Sequence, residues 1–241
     1  DFDIYKGDTL TDDKYGDVQM TVQVCNPPYS LKWSADPKYL DDPRYSGIGK
    51  LAPKSHADLA FLQHMIYHMD EEDGRIAVLL PHGVLFRGGS EEAIRKYMID
   101  KLNRLDAVIG LPANLFHGTT IPVCLLLLKS KRNGNSGNIL FIDASKEFKS
   151  GKNQNTLEQE HIDKIVKAYE ERKDIPKFAH VADMCEIIDN GYNLNIPRYV
   201  DTFEEEEPVD LVAVKAEIKE IETKKQVAIE KAEGFLKELG L

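Results

Sequence analysis

The four residues Asn26, Pro27, Pro28 and Tyr29 form the motif of this chain that is best suited to chemistry. An exocyclic amine or an amide nitrogen is a poor nucleophile because its lone pair is delocalised. Two acceptors held against its N–H groups favour the pyramidal nitrogen that attacks a methyl donor, and the Asn26 side-chain oxygen with the Pro27 carbonyl can be that pair. Proline fixes φ and lacks an N–H, so this carbonyl is held rigidly. Preorganised dipoles are usually a large catalytic factor, and Tyr29 offers a flat face for a target ring.

The ordinary alternative for these four residues is a strand that ends in a Pro-Pro turn. The context favours the chemical interpretation, because the motif follows directly on a predicted strand over residues 18–25. Ligands of open α/β sheets bind at the carboxyl ends of the strands. Gln19, Thr21 and Gln23 alternate with apolar residues in this strand, which is typical of a strand with one wetter face.

Strand and helix patterns alternate along the chain and predict an α/β layered sheet around the motif. Further strands are predicted at residues 75–80, 105–111, 123–129 and 139–143. The first three are almost continuously apolar, as strands covered on both faces are. Too little chain joins 105–111 to 123–129 for a crossover helix, so the later strand is expected to be reversed. Helices are predicted at residues 57–69, 90–102 and 156–173.

Composition limits the class of protein. The 241 residues carry a net charge of −10, whereas a protein that grips duplex DNA alone usually presents a basic face. Either nucleic acid is not the substrate, or a partner supplies most of the grip. The chain has no apolar run near the roughly 20 residues of a membrane span and no signal peptide, so no membrane contact is expected. Three cysteines without paired spacing indicate reduced thiols and a cytoplasmic protein.

Residues 208–239 are predicted to form one long helix that follows the acidic run 204–207. Acidic residues suit the positive end of a helix. Apolar residues recur in alternating steps of three and four, which is a heptad seam interrupted by Lys225. The seam consists of Leu211, Val214, Ile218, Ile221, Lys225, Ala228, Ala232, Phe235 and Leu239. The helix either folds onto its own domain or meets a partner helix, and a seam of this length favours the partner.

Taken together, these motifs resemble those of the modification subunit of type I restriction-modification systems, a family of N6-adenine DNA methyltransferases. The resemblance rests on the order and spacing of GDTL (7–10), NPPY (26–29), SHADLAF (55–61), GRIAVLLPHGVLF (74–86), LFHGTTIP (115–122) and GYNLNIPRY (191–199). It implies an α/β fold, a partial doubly wound Rossmann-like methyltransferase sheet with a C-terminal long helix.

The resemblance also implies a reaction, in which a methyl group passes from S-adenosylmethionine to the N6 amine of an adenine flipped out of double-stranded DNA. Tyr29 would stack on this adenine. The implied site residues are the catalytic Asn26, Pro27, Pro28 and Tyr29, the cofactor-binding Asp8 and Thr9, and Phe116 against the target base.

The sequence departs from the family pattern in one respect. The family places a glycine-rich cofactor loop and a ribose-binding acid upstream of the position of Asp8, and nothing here has that form. The glycines at 47–49 and 88–89 follow no strand, so we interpret them as loop and turn glycines. The chain alone is therefore expected to be inactive, as a truncated product or a fragment, with one edge of strand 18–25 unpaired.

The resemblance divides the chain into a catalytic half at 1–145, a polar connection with a helical extension at 146–203, and a docking helix at 204–241. That helix would bind the helical spacer of the specificity subunit, which brings the DNA-reading domains and, indirectly, the restriction subunit. Such a partner would explain the acidic charge. Two alternatives stay open: a methylase of RNA or of protein glutamine, which shares the four-residue motif, and a non-catalytic fragment that only docks a specificity subunit.

Three histidines are further candidates for a site. His64 and His68 are four apart on a predicted helix, a spacing that metal ligands use, but no acid follows His64 as a metalloprotease motif requires. We predict that both are structural and that the site holds no metal. His82, at the end of strand 75–80, is predicted to be a loop histidine, with contact to substrate as the alternative.

Overall fold

A six-stranded mixed sheet forms the centre of the first of two units, Asp1–Thr202. The structure, a computed structural model, describes residues 2–117, 119–202 and 211–238. The strands are β1 Val22–Cys25, β2 Arg75–Pro81, β3 Leu105–Gly110, β4 Val123–Lys129, β5 Asn138–Asp143 and β6 Ala179–Asp183. Across the sheet their order is β1-β2-β4-β3-β5-β6. Strand β4 is antiparallel to β2 and to β3, which confirms the predicted reversal.

Helices of the first unit lie between these strands. They are α1 Pro43–Ser46, α2 Asp58–Tyr67, α3 Gly83–Phe86, α4 Ser90–Lys96, α5 Gln159–Glu171 and α6 Met184–Asp189. A single π-helical turn, Tyr97–Lys101, continues α4, and short 3-10 turns occur at Pro37–Asp41 and Ile196–Arg198. The three predicted helices of this unit are therefore present; the second begins at Ser90 as predicted, and the other ends differ by a few residues. Helices α1, α3 and α6 were not predicted, because each is too short to show an apolar period.

Hydrophobic cores cover both faces of the sheet. Every residue of β3 is buried. Val108 belongs to the larger core cluster, while its neighbours Ala107 and Ile109 belong to the smaller one. Since successive side chains of a strand point to opposite faces, each face of the sheet carries its own core. This is the layered α/β arrangement that the alternating patterns predicted.

Strand β1 differs from its prediction in length and in orientation. It begins at Val22, and Met20 makes only an isolated bridge to Met69. The side chain of Gln23 is buried and donates to the Met65 carbonyl at 2.8 Å. Val22 and Val24 are 65% and 81% exposed. The strand does have one wetter face, but that face carries the valines, because α2 offers the glutamine a backbone acceptor on the other side.

Residues between the predicted boundary at 145 and Thr202 contribute to the same unit. Strand β6 was not predicted, and it pairs antiparallel with β5 along the edge of the sheet. Its five residues include His180 and Asp183 and lack a continuous apolar run, so the pattern gave no signal. The ring of Tyr199 stacks on that of Phe141, with the ring centroids 3.8 Å apart. This contact attaches the end of the segment to the larger core.

The second unit, Phe203–Leu241, contains helix α7, Leu211–Glu238. Its predicted seam is exposed at Val214, Ile218 and Ile221. The acidic run 204–207, Pro208 and Leu239 lie outside the described residues. Among the helices that the structure describes, none combines the length and the apolar character needed to cross a membrane.

A buried carboxylate, Asp106, anchors the start of β3. The hydroxyl of Tyr169 donates to it at 2.6 Å, and the cationic groups of Lys129 and Arg172 each lie 3.3 Å from it. Burial by itself raises the pKa of this carboxyl, but the hydrogen bond from Tyr169 and the neighbouring cations outweigh burial and hold the pKa below its usual value. Asp106 is therefore charged in the folded protein at neutral pH.

Replacing Asp106 with Asn should reduce stability in a pH-dependent way. Removal of one partner from a buried charge cluster costs about 3 kcal/mol, so we expect a loss of that order in the free energy of unfolding at pH 7. An unfolded aspartate has a pKa of about 3.9, and the folded pKa is lower, so the contribution is present above about pH 4 and is lost as pH falls through the folded pKa. Urea unfolding of the wild type and of Asp106→Asn should therefore give curves that converge toward pH 2. A gap that stays constant from pH 7 to pH 2 would contradict the assignment, and Asp12→Asn, at an exposed ion pair, is the control.

Candidate active site

The predicted catalytic loop, residues 26–29, follows β1 at one edge of the sheet. Strand β1 is parallel to β2, so both strands end at this edge. Strand β4 is reversed, and its first residue, Val123, pairs with the last residue of β2, Pro81. Near the same level Cys124 pairs with Gly110, the end of β3. The segments that follow β1, β2 and β3 therefore meet at the carboxyl edge, where open α/β sheets bind ligands.

Within the loop, Pro27 is buried, Asn26 and Pro28 are exposed, and Tyr29 is half-buried. The hydroxyl of Tyr29 donates to the Asn26 side-chain oxygen at 2.6 Å. Burial, together with the nearby Cys124, raises the pKa of Tyr29, so this hydroxyl keeps its proton at neutral pH and remains a donor. One lone pair of the Asn26 side-chain oxygen is therefore engaged within the loop.

Phe116, the predicted contact to the target base, lies on the same side of the sheet as Tyr29. Both half-buried rings pack against the smaller core cluster, as does Leu115. Phe116 also forms an isolated bridge with Thr119, while Gly118 lies outside the described residues. Beside it a cleft of about 410 Å³ is lined by Asn114, Phe116, His117, Thr119, Thr120, Asn153 and Gln154. Its volume falls in the range of ligand pockets, roughly 300–1,000 Å³.

The exit of the catalytic loop is attached to the start of α2. Ser30 has a φ of 51°, in the left-handed region, and its N–H donates to Asp58 Oδ1 at 2.7 Å. One residue later the carbonyl of Leu31 accepts the N–H of Ala57 at 2.9 Å. Asp58 is fully buried. The sequence motif 55–61 marked a helix start, but the contact of its acid with the catalytic loop was not predicted.

Arg87 completes the buried polar group beside the loop. Its guanidinium lies 3.6 Å from the Asp58 carboxylate and 3.2 Å from that of Glu91. Burial raises the pKa of Glu91, and the charge of Arg87 opposes that rise. Gly83 makes room for the guanidinium, since a Cβ at this position would lie 2.2 Å from an Arg87 nitrogen. Neither Arg87 nor Glu91 was predicted, because their roles depend on contacts between distant segments.

Asp8 and Thr9, the predicted cofactor residues, lie in a second loop that also contacts α2. The side chain of Asp8 is exposed and accepts the N–H of Leu10 at 3.1 Å. Thr9 Oγ1 lies 3.1 Å from His64 Nε2. His64 and Asp58 are six residues apart on α2, which is about 9 Å along the axis at 1.5 Å per residue. The catalytic loop and the loop of Asp8 and Thr9 are therefore each attached to α2, at points six residues apart. The hydrogen bonds that attach them do not join the two loops to each other.

His64 and His68 take part in a hydrogen-bonded cluster with Asp13, whose potential ligand atoms lie within 4.8 Å of one another. His68 contacts Asp13 at 2.8 Å through Nε2 and the Val18 carbonyl at 2.7 Å through Nδ1. Arg44 donates to His64 Nδ1 at 3.1 Å, so the proton of a neutral His64 sits on Nε2, where it can reach Thr9. A cation would meet the charge of Arg44 here. The arrangement supports the structural interpretation of both histidines.

Burial, together with the charge of His68, lowers the pKa of His64 to about 4. His82 is also half-buried, and its Nε2 lies 3.1 Å from the Val123 carbonyl, to which it donates. Burial lowers the pKa of His82 as well. His82 immediately precedes α3. The contact observed for its ring is with the backbone at the edge of the sheet.

Comparison with known proteins yields matches over most of the chain. The family model of N-6 DNA Methylase matches residues 1–208. The methylase subunit of the type I restriction enzyme MpnII from Mycoplasma pneumoniae is 37% identical, over 93% of this chain and 43% of its own length. The methylase subunit of MjaVII from Methanocaldococcus jannaschii is 36% identical, over 98% of this chain and 42% of its own length. The chain thus spans about two fifths of these relatives.

Solved structures agree with the sequence matches. The type I restriction-modification methyltransferase subunit from Streptococcus thermophilus superposes with a TM-score of 0.76 and 53% identity, over 80% of this chain and 41% of that one. A structure from a type I restriction-modification assembly superposes with a TM-score of 0.60 over 97% of this chain. At 19% identity, the second likeness concerns the fold alone.

The low pKa of His64 predicts a specific loss of stability under mildly acidic conditions. An unfolded histidine has a pKa of about 6.5. As the pH falls below this value, the unfolded chain binds a proton at this residue, whereas folded His64 stays neutral down to about pH 4. Stability from this residue is therefore complete above about pH 6.5 and falls as the pH drops toward 4. We expect NMR titration of the His64 ring to give a midpoint near 4, and His64→Leu to lose less stability than the wild type between pH 7 and 4.5. A His64 midpoint near 6.5 would contradict this.

Proposed function

Because the chain belongs to the N-6 DNA methylase family, we propose that it carries the catalytic loop of an adenine-specific DNA methyltransferase, the methylase subunit of a type I restriction-modification system. The observation that carries the proposal is the position of Asn26, Pro27, Pro28 and Tyr29 at the carboxyl end of β1, with the tyrosine hydroxyl 2.6 Å from the Asn26 acceptor. The 53% identity to a methyltransferase subunit of such a system supports it.

In this proposal the target adenine is flipped out of duplex DNA and stacks on Tyr29. Stacking contributes roughly 1–3 kcal/mol per base, which is comparable with the few kcal/mol that flipping costs. The Asn26 side-chain oxygen and the Pro27 carbonyl accept the two N6 hydrogens and make the nitrogen nucleophilic. Phe116, on the same side of the sheet, packs beside the base. As the new carbon–nitrogen bond forms, the carbon–sulfur bond of the methyl donor would break with its electron pair left on sulfur, and one N6 proton would leave to solvent.

S-adenosylmethionine is the cofactor in this proposal, and when bound it supplies the electrophilic methyl group. The exposed Asp8 carboxylate and the Thr9 hydroxyl suit the adenine amine of the cofactor. The glycines at 47–49 and at 88–89 do not follow a strand, so the residues of this chain fit only part of S-adenosylmethionine. We therefore propose that its methionine part binds residues that the longer relatives possess beyond the matched region, and that this chain alone is inactive.

The free edge of β1 supports the same proposal. In the described sheet β1 pairs with β2 alone, and Val22 and Val24 on its outer face are exposed. Unpaired strand edges invite pairing with another segment. A strand that carries the cofactor loop would cover this edge and place the methyl donor beside Asn26.

A docking role for α7 is the second candidate, and it is compatible with the first. Its exposed Val214, Ile218 and Ile221 are costly to leave in water, because burial of each such side chain is worth roughly 1.5–3 kcal/mol. We propose that the specificity subunit covers this seam, brings the grip on double-stranded DNA that a net charge of −10 does not provide, and links the restriction subunit indirectly. The three free thiols fit a cytoplasmic location.

Methyl transfer is the direct test of the catalytic loop. The chain is completed with the preceding segment of a relative and with a specificity subunit, and transfer of tritiated methyl groups to duplex DNA is measured. Asn26→Ala should reduce the rate by at least about 100-fold, the scale reported for removing one preorganised polar group. DNA binding in a gel-shift assay should stay nearly intact. Full activity of Asn26→Ala would refute the proposed function.

The tyrosine variants separate two roles of Tyr29. Tyr29→Phe keeps the ring face and frees the Asn26 oxygen, whereas Tyr29→Ala loses the ring as well. We therefore expect Tyr29→Phe to retain more activity than Tyr29→Ala in the same assay. Equal losses in the two variants would argue against stacking. The chain without its completing segment is the negative control and should transfer no methyl groups.

The docking role of α7 predicts that Ile218→Asp and Ile221→Asp each stop co-purification with the specificity subunit. A charge in the seam opposes burial against another helix, while circular dichroism should show the first unit still folded. Thr223→Asp adds the same charge to an exposed position outside the seam and should leave co-purification unchanged. If both isoleucine variants still co-purify, the seam serves another contact.

A further inference from the structure

We propose that Asp58 is a positioning residue for the catalytic loop, which it holds through the backbone N–H of Ser30. The inference rests on the proposed function and adds a residue to it. Among the described residues, no hydrogen bond joins Asp58 to the proposed acceptors, Asn26 and Pro27. Asp58 fixes the position of Ser30, at the exit of the loop. It thereby sets the distance between the two acceptor oxygens and an amine bound at the sheet edge.

The first support is the conformation of Ser30. Its φ of 51° is one that residues with a Cβ adopt rarely, so the surrounding structure has to maintain it. The 2.7 Å bond from its N–H to Asp58 Oδ1 does so from a fully buried side chain. The bond between Ala57 N–H and Leu31 carbonyl, 2.9 Å, attaches the next residue to the same helix start. Two adjacent residues of the loop exit are therefore bound to α2.

The second support is the direction of the Asp58 side chain. An acid in the first turn of a helix ordinarily stabilises its own helix end. The N-cap of α2, Ala57, has no side-chain cap, and Asp58 Oδ1 is committed to Ser30, 28 residues earlier in the chain. The carboxylate thus serves a distant loop.

The third support is the charge arrangement behind this carboxylate. Asp58 Oδ2 has no hydrogen-bond partner in the described part of the protein and lies 3.6 Å from Arg87 Nη1. Arg87 is shared with the buried Glu91, so two carboxylates face one guanidinium. A buried carboxylate with so little compensation is a costly way to hold a helix start. A purely structural cap could be a neutral Ser or Asn.

Loss of this contact should act on catalysis more than on binding. The Asn26 and Pro27 acceptors contribute when the amine nitrogen becomes pyramidal, so their placement matters most in the transition state. Displacement of a reacting group by about 1 Å can cost about 100-fold in rate. We expect Asp58→Ala to lower kcat by about this factor and to change KM for DNA and for the cofactor by no more than about twofold.

The kinetic test uses the completed assembly described above. Asp58→Asn keeps an oxygen acceptor for Ser30 and should be at least about tenfold more active than Asp58→Ala, as expected for one retained hydrogen bond to the backbone. Leu62→Ala, fully buried in the same helix, destabilises the core and should leave kcat per folded molecule unchanged. Ser30→Gly keeps the N–H donor, suits a positive φ, and should also retain activity.

A second measurement needs only the 241-residue chain and does not depend on methyl transfer. Hydrogen exchange of the Ser30 amide should become about tenfold or more faster in Asp58→Ala, the factor that corresponds to loss of a hydrogen bond to a charged group. Exchange should stay slow in Asp58→Asn and in Leu62→Ala. An unchanged Ser30 amide in Asp58→Ala would overturn the proposed contact.

The outcomes separate this proposal from the proposed function. If the wild-type assembly methylates adenine and Asn26→Ala is inactive while Asp58→Ala has normal kcat, the positioning role is overturned and the function stands. The positioning role is equally overturned if Asp58→Asn is as inactive as Asp58→Ala, or if Leu62→Ala loses kcat to the same extent. If the wild-type assembly transfers no methyl group to adenine, the proposed function fails and the role of Asp58 in catalysis fails with it, even where the exchange experiment supports the contact.

Discussion

Helix α2, Asp58–Tyr67, is the constraint on which the candidate site depends. Three contacts attach neighbouring segments to it: the loop exit at Ser30 through Asp58, the Gln23 side chain at the Met65 carbonyl, and Thr9 at His64. Just beyond its end, the His68 carbonyl accepts the N–H of Met20. Because β1 has only β2 as a strand neighbour in the described sheet, these bonds to α2 supply much of what fixes β1 and both loops beside it. A shift of this helix would move the two parts of the site together.

The same constraint explains the unusual faces of β1. Most buried carboxamides are hydrogen-bonded, and the Met65 carbonyl at the C-terminal half of α2 accepts a hydrogen bond from Gln23. The valines are then left on the opposite face, where no described element covers them. In β3, by contrast, both faces are covered, and the one charged side chain of that strand, Asp106, is compensated by Tyr169, Lys129 and Arg172. Among the described residues, the face of β1 that carries the valines is therefore the uncovered one.

The elements that the sequence predicted well are those that a local pattern defines. Strands β2 to β5 are apolar runs of strand length, and the reversal of β4 followed from the short connection before it. Strand β6, AHVAD, has no such run, and it exists because β5 offers it an edge to pair with. The catalytic motif could be proposed from the sequence because its four residues are consecutive. Asp58, Arg87 and Glu91 were missed because nothing in their own segments reveals that Asp58 meets the loop after β1 or that Arg87 lies between the two carboxylates. Likewise, the common side of Tyr29 and Phe116 depends on the strand order, which no local pattern contains.

The backbone at the exit of the catalytic loop and the side chain of Asn26 are held by different kinds of interaction. The loop exit is fixed by bonds to a buried carboxylate and to a helix N–H, neither of which an incoming base can reach. The Asn26 acceptor is held by the Tyr29 hydroxyl, a group that belongs to the residue proposed to stack on the base. A neutral hydrogen bond of this kind contributes only about 1 kcal/mol net, and an amine that takes the hydroxyl's place restores it. The exchange therefore costs little, while the position of the acceptor stays set by the backbone. In the proposed reaction, a loop built in this way would present its acceptor to a target amine without leaving that acceptor unsatisfied beforehand.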